Sequence, residues 1–299
     1  MTSTGAGPDP GLLGAIATAA AESGAAAWLV GGSVRDLLLG LPARDVDAAI
    51  EGTAEAARRA TSTLETGAGW RCRARHALFG TATLEGPDGT RVDVAVTREE
   101  TYPRPGALPI VSPGVPIVRD LARRDFTIHA MAFSLGPAGV HGCLLDPFGG
   151  RADLDGKSVR LLHAGSLADD PTRVFRAARY AARLGFGLEP GFVAAMDRAV
   201  TEGAFERISG ERLRRALDEL LAEENRTVAI GILERLGVFA AVVGGWGVDD
   251  SAARAVASSA GTSDAWARLL APVPASTRLR VAERLRFPRA LRREAGCVP

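Results

Sequence analysis

Cysteine, lysine and long apolar runs are scarce in this sequence, and each scarcity excludes something. The three cysteines, Cys72, Cys143 and Cys297, show no metal-ligand spacing. An odd number of them supports no disulfide framework, and the natural compartment is the reducing cytoplasm. Lys157 is the only lysine, so nearly all positive charge is arginine, a bias that GC-rich coding explains without function. The formal net charge of +1 provides no global field for nucleic acid, so an RNA-binding surface would have to be a local basic patch. The apolar segment Gly11–Ala21 follows Asp9, lacks a basic flank and is too short to span a bilayer. It predicts an N-terminal helix behind a disordered lead over residues 1–10, with no signal peptide and no membrane partner. Internal repeats and low-complexity tracts are missing as well. What remains is an ordinary globular composition, 46% hydrophobic and 24% charged over 299 residues, long enough for two or three modules.

The most informative stretch is Trp28–Ile50, WLVGGSVRDLLLGLPARDVDAAI. It reads as a strand (Ala27–Val30), a Gly31-Gly32 turn, a helical turn (Ser33–Leu39), a Gly-Leu-Pro break and a second strand. Each piece suits a nucleoside triphosphate. Two glycines let the backbone approach a phosphate. Ser33 can cap a helix whose free N–H groups attract an anion, and Arg35 adds a fixed positive charge. Asp45 and Asp47, two apart on a strand, share a face. Converging carboxylates suit Mg²⁺, which leaves its other positions to water and phosphate.

Further along, Thr53–Leu64 reads as a helix, and Ala77–Leu84 and Arg91–Thr97 as strands joined by a Gly86-Pro87-Asp88-Gly89 hairpin turn. Val92, Val94 and Val96 share one face, which leaves Asp93 on the other as either a third carboxylate or a solvated edge residue. Arg98–Val118, with five prolines and two glycines, reads as a long loop, either a lid or a mobile connection. Arg123-Arg124-Asp125 is expected to open a helix through Ile128 and Met131. Paired arginines at such a start oppose the macrodipole, so they either contact phosphate or ribose or pair with Asp120 or Asp125. From Leu154 onward the pattern is helical. Asp-Asp-Pro-Thr (residues 169–172) reads as an N-cap, and Arg173, Arg176, Arg179 and Arg183 follow as a basic stripe. Capping and a solvated face explain these residues as well as ligand contact does. ISGERLRRALDELL and RTVAIGILERLGVFA are amphipathic helices. Seven arginines between Arg278 and Arg293 form either an RNA-phosphate surface or a solvated helix face.

Four ordered motifs, spread over Ala26–Val238, carry a family resemblance: GGSVRDLLLG followed by DVD, RRDFTIHAMA, LLDPFGGRADL and DDPTRVFRAARYAARLGF. Together they resemble the class II polymerase-β-type nucleotidyltransferases, the branch of bacterial tRNA nucleotidyltransferases (CCA-adding enzymes) and poly(A) polymerases. The resemblance implies an α+β chain: a polymerase-β-like head (small mixed sheet with helices) over 11–150, an all-helical neck over 151–210 and a short helical body over 211–299. Relatives continue further with helical body and tail.

By resemblance, Asp45, Asp47 and Asp93 are the catalytic carboxylates, with Asp45 and Asp47 as Mg²⁺ ligands. Gly31, Gly32, Ser33, Arg35 and Arg124 hold the triphosphate. Asp170 and Arg173 read the base, and Arg176 and Arg179 support it. One carboxylate acceptor plus one guanidinium donor matches the Watson–Crick edges of cytosine and adenine. Uracil and guanine present the reverse order and would leave polar groups unpaired, at about 1–3 kcal/mol each. His129 stands where the family usually has asparagine, and Asp169 where it has glutamate. TREETYPRPGALP resembles the family loop used in switching from C to A, which CC-only relatives partly lack.

The implied partners are CTP, ATP and the tRNA 3′ end. The implied activity is addition of C and A to that end. Within the same chemistry stand an A-adding enzyme, a poly(A) polymerase and a transferase with another acceptor. A catalytically silent RNA-binding relative is the reading from a different class.

Overall fold

The computed structural model describes residues 7–42, 45–67, 70–76, 80–86 and 89–297. It divides into two compact units, Met1–Thr101 with Pro109–Gly156 and Tyr102–Leu108 with Lys157–Pro299. Residues 1–6 of the expected lead, residues 77–79 of an expected strand, and Pro87 and Asp88 of the expected hairpin turn lie outside the described residues.

The first unit is built on strands β1 (Ala26–Val30), β2 (Asp45–Glu51), β3 (Arg71–His76), β4 (Thr81–Glu85), β5 (Arg91–Val96), β6 (Arg98–Thr101), β7 (Ile110–Pro113), β8 (Ala132–Gly136) and β9 (Gly139–Leu145). Seven of them form one sheet in the order β3-β4-β5-β2-β1-β8-β9. The sheet is mixed, because β2 and β5 run parallel while the other ladders are antiparallel. Helices α1 (Pro10–Glu22), α2 (Gly32–Leu38), α3 (Ala54–Gly67), α4 (Ile117–Ala122) and α5 (Gly150–Asp155) complete it. Asp9 caps α1, its carboxylate accepting from the N–H groups of Gly11 and Leu12, and Pro10 takes the first helical position. Strand alternation decides which face is buried. Val46, Ala48 and Ile50 of β2 and Val92, Val94 and Val96 of β5 are in the core, packed with α3. Asp47 and Asp93 therefore point to the opposite face.

Two expectations are corrected here. The proline-rich stretch Arg98–Val118 is not a structureless loop. β6 and β7 pair antiparallel within it, and α4 begins at Ile117 behind Pro116. Nor do Arg123 and Arg124 open a helix. Arg123 is the C-cap of α4, where positive charge agrees with the macrodipole. Only a single 3₁₀ turn, Thr127–His129, precedes β8. The edge strand β3 had no sequence signal, since all six of its residues are exposed and no alternation marks it.

The second unit is helical: α6 (Ser166–Asp169), α7 (Arg173–Leu184), α8 (Gly191–Thr201), α9 (Ala204–Arg207), α10 (Gly210–Leu221), α11 (Arg226–Arg235), α12 (Val238–Val242), α13 (Asp250–Ala257), α14 (Thr262–Leu270), α15 (Ala275–Arg284) and α16 (Arg289–Glu294). A two-residue parallel ladder, Ser158–Val159 with Gly187–Leu188, departs from the expected all-helical neck. α7 buries Val174, Phe175, Ala177, Ala178 and Ala181 and packs on α11. Phe239, Trp246, Trp266 and Phe287 stack into an aromatic cluster. No helix among the described residues is long and apolar enough to cross a membrane.

Candidate active site

The parallel register of β2 and β5 sets Asp47 directly beside Asp93, with Asp45 two residues back on the same face. Asp45 is exposed and the other two are half-buried. Burial pushes the Asp47 carboxyl above the ordinary carboxylate range. Arg124 pulls it back, Asp93 and Asp45 push it further up, and the Gly32 N–H favours the ionised form. A carboxylate raised by burial and by like charges is one a divalent cation would relieve. Among the described residues no group of three or more His, Cys, Asp or Glu stands ready as a ligand cage. A cation here would keep positions for water and phosphate, which fits Mg²⁺. The Thr83 hydroxyl, across the β4–β5 register, donates to Asp93. Thr83 was missed in the sequence, although its place on the polar face of β4 was the available signal.

Ser33 does not cap α2. The N-cap is Gly31, which makes no side-chain cap bond. The Ser33 hydroxyl instead donates to the Asp45 carbonyl (3.1 Å) and accepts from the Asp47 N–H (2.7 Å), tying α2 to the carboxylate strand. Gly31 has φ +66°, and a Cβ there would lie 2.7 Å from Arg124 Nη1 and 3.3 Å from Asp47 Oδ2. The left-handed backbone favours glycine at this turn, and a Cβ would also crowd the guanidinium and the carboxylate beside it. Arg35 is only 5% exposed. It donates to Asp36 through Nε and Nη2, and its Nη1 meets His129 Nε2 at 2.8 Å. It stands behind the glycine turn with its charge paired.

Arg124 donates Nη2 to Asp120 at 3.0 Å, and its buried Nε has no partner among the described residues. Asp120, 1% exposed, also accepts from Arg123 and from the Arg98 N–H. Burial pushes its pKa up, but Arg124, Arg123 and these hydrogen bonds outweigh it and hold the carboxyl below the usual range. Of the two explanations for the paired arginines, the ion pair is therefore present, and it aims Arg124 at the carboxylates. A cavity of about 280 Å³ joins Asp47, Asp93, Arg124, Thr83 and His76. His76 was not anticipated; it lies on the unsignalled strand β3.

In the second unit Asp170 closes α6 and Arg173 opens α7, whose N-cap is Thr172 with Pro171 before it rather than at the first helical position; each is engaged with neighbours. Asp170 Oδ1 accepts from the Thr172 N–H (3.0 Å) and hydroxyl (2.7 Å), and Oδ2 from Arg212 (2.9 Å). Arg173 is buried, donating to Ser166 and, at 3.4 Å, to the Tyr102 hydroxyl. The expected basic stripe is not a free face. Arg176 lies over Tyr180, Arg179 pairs with Glu219 and Glu223, and Arg183 pairs with Glu223. The acids come from α10 and the turn after it, about forty residues away in sequence, beyond the reach of a helical-period reading. Arg212 was missed; it also donates to the Gly106 carbonyl. Part of the C-terminal arginine run is structural too, since Arg284 donates to the Phe205 and Ile208 carbonyls.

Comparison with known proteins concerns the sequence and the fold. The Poly A polymerase head domain family matches residues 27–160. A solved CCA-adding enzyme, apo form II, superposes with TM-score 0.81 at 31% identity, over 97% of this chain and 71% of that one. The chain belongs to the tRNA nucleotidyltransferase and poly(A) polymerase family. Another family structure, a CCA-adding enzyme in complex with CTP, matches with TM-score 0.79 at 30% identity, covering 97% of this chain and 70% of that one. Among curated family members, the A-adding tRNA nucleotidyltransferase of Geobacter sulfurreducens is 42% identical over 211 residues, 71% of this chain and 23% of its own length. That of Halalkalibacterium halodurans is 39% identical over 220 residues, 73% of this chain and 50% of its own length. The chain thus spans half or less of the length of these two relatives.

Proposed function

We propose that this protein adds C and A residues to the 3′ end of tRNA from CTP and ATP, releasing pyrophosphate, in the cytoplasm. The observation that supports this best is the meeting of Asp45, Asp47 and Asp93 with Arg124 at a glycine turn that a Cβ would block. Two Mg²⁺ ions, held by Asp45 and Asp47 with Asp93, would lower the pKa of the RNA 3′-hydroxyl and neutralise the leaving pyrophosphate. Arg124, aimed by Asp120, is placed to take a phosphate oxygen. Gly31 and Gly32 keep side chains out of the phosphate's path, and Ser33 sets the spacing of the carboxylate strand against the turn. Positioning and charge stabilisation supply the acceleration, with no covalent intermediate.

Asp170 and Arg173 are the proposed base readers, with Arg176 and Arg179 behind them. Base reading would then exchange the Arg212 and Tyr102 contacts for the base edge. Addition of terminal A alone is the second reading, favoured by the two A-adding relatives at 42% and 39% identity. The test supplies Mg²⁺ and tRNA ending before its CCA with each labelled triphosphate singly, then CTP with ATP. Three additions requiring both, with UTP and GTP unused, support the first reading. Extension only of tRNA already ending in CC, with ATP alone, supports the second. Efficient use of UTP or GTP contradicts the base-reading pair.

A further inference from the structure

A buried line of side chains behind the glycine turn takes no part in the transfer chemistry above. Arg35 Nη1 lies 2.8 Å from His129 Nε2, and His129 Nδ1 lies 2.9 Å from Asp125 Oδ1. All three residues are less than 9% exposed. A guanidinium only donates and does not deprotonate in proteins, so His129 Nε2 must accept. The ring proton therefore sits on Nδ1 and is donated to Asp125. One tautomer of the neutral ring satisfies both contacts.

Among the described residues, charged groups border this ring from α2, from its own turn and from α5. From α2 come Arg35 and, through it, Asp36; from the ring's own turn comes Asp125, which also accepts from the Phe126 N–H. α5 packs on the same turn with Asp153, whose carboxylate accepts from Thr127. Phe126 closes the ring edge-on, 5.7 Å between centroids. Arg35 in turn borders the glycine turn: its Nη2 is 3.6 Å from where a Cβ on Gly32 would stand.

We propose that His129 is a positioning residue of the nucleotide site, holding Arg35 against the Gly31–Gly32 turn while neutral and releasing it when protonated. This rests on the reading of that turn as the triphosphate site. Protonation puts an N–H on Nε2, so the acceptor becomes a donor facing a second cation in a buried setting, and the contact is lost. Acid then weakens nucleotide binding through a group that never touches the nucleotide.

The first arm is nitrogen NMR of the histidine rings in the full chain at mildly alkaline pH. The expected state of His129 is Nδ1 protonated and Nε2 bare; a protonated Nε2 overturns the relay, whatever the protein's activity. The second arm is ATP binding by equilibrium dialysis without RNA, for the wild type, His129→Asn and His129→Phe. Asparagine can still accept and donate but does not titrate, so it also controls for ionisation of ATP itself. From mildly alkaline to mildly acidic pH the wild type is expected to lose about tenfold more affinity than His129→Asn, and His129→Phe to bind weakly throughout. His129→Asn with the wild-type pH dependence overturns the proposal. So does ATP failing to bind at any pH, which also sinks the reading of the site; the NMR arm separates the two failures.

Discussion

Asp47 carries its charge against its surroundings, and that conflict has a measurable consequence. Its folded pKa lies above the ordinary value of 3.8, so the folded state binds the proton more tightly than the unfolded chain. Stability from this group therefore falls as pH rises through the window above 3.8 and stays low at neutral pH. Asp47→Asn is expected to raise the melting temperature of the metal-free protein at neutral pH, and the gain should fade on acidification. A divalent cation should raise the wild-type melting temperature more than the variant's. Asp120 has the opposite sign. Its pKa is depressed, so its contribution is present above the ordinary carboxylate value and is lost as pH falls through the folded value. Asp120→Asn leaves Arg123 and Arg124 without their shared carboxylate, and urea unfolding should show a loss of about 3 kcal/mol. Strand alternation set Asp45 and Asp47 on one face, but it left Asp93 open between a third carboxylate and a solvated edge residue, and only the family resemblance favoured the first. The partner of Arg35 was not legible in the sequence, because His129 reaches it only through the fold; Asp120, one helical turn from Arg124, already stood among the candidate partners of the paired arginines.

At the scale of elements, the joint between α2 and β2 is the critical one. Ser33→Ala removes a donor and an acceptor at once. It should cost about 1–3 kcal/mol in thermal or urea unfolding, with a fall in transfer rate as the carboxylate strand loosens. Gly31→Ala combines backbone strain at φ +66° with a Cβ 2.7 Å from Arg124 Nη1. It should weaken ATP binding about tenfold or more, read by equilibrium dialysis. The glycine turn, the carboxylate strand and the buried face of β5 were readable because short-range pattern determines them. The β6–β7 hairpin was not, since its pairing is carried by backbone groups within a proline-rich stretch whose side chains show no period. The ion pairs of the α7 arginines were not legible for a different reason: their counter-charges Glu219 and Glu223 come from a distant part of the chain.

For the whole molecule, the main division between the two units falls at Gly156 and Lys157. Nothing in the sequence announced that Tyr102–Leu108 groups with the second unit, where Gly106 donates to the carbonyls of Ala168 and Asp169. With a net charge of +1, RNA affinity would depend on local arginines and should fall steeply with added salt. The central claim is that the carboxylate face of the first unit performs nucleotidyl transfer. The most direct measurement is single-turnover addition of labelled ATP to tRNA ending in CC by the wild type, Asp45→Ala and Asp47→Ala, with tRNA affinity measured in parallel. The account predicts that each substitution lowers the rate by about a thousandfold or more while tRNA binding stays at the wild-type level. Transfer that survives either substitution would contradict it.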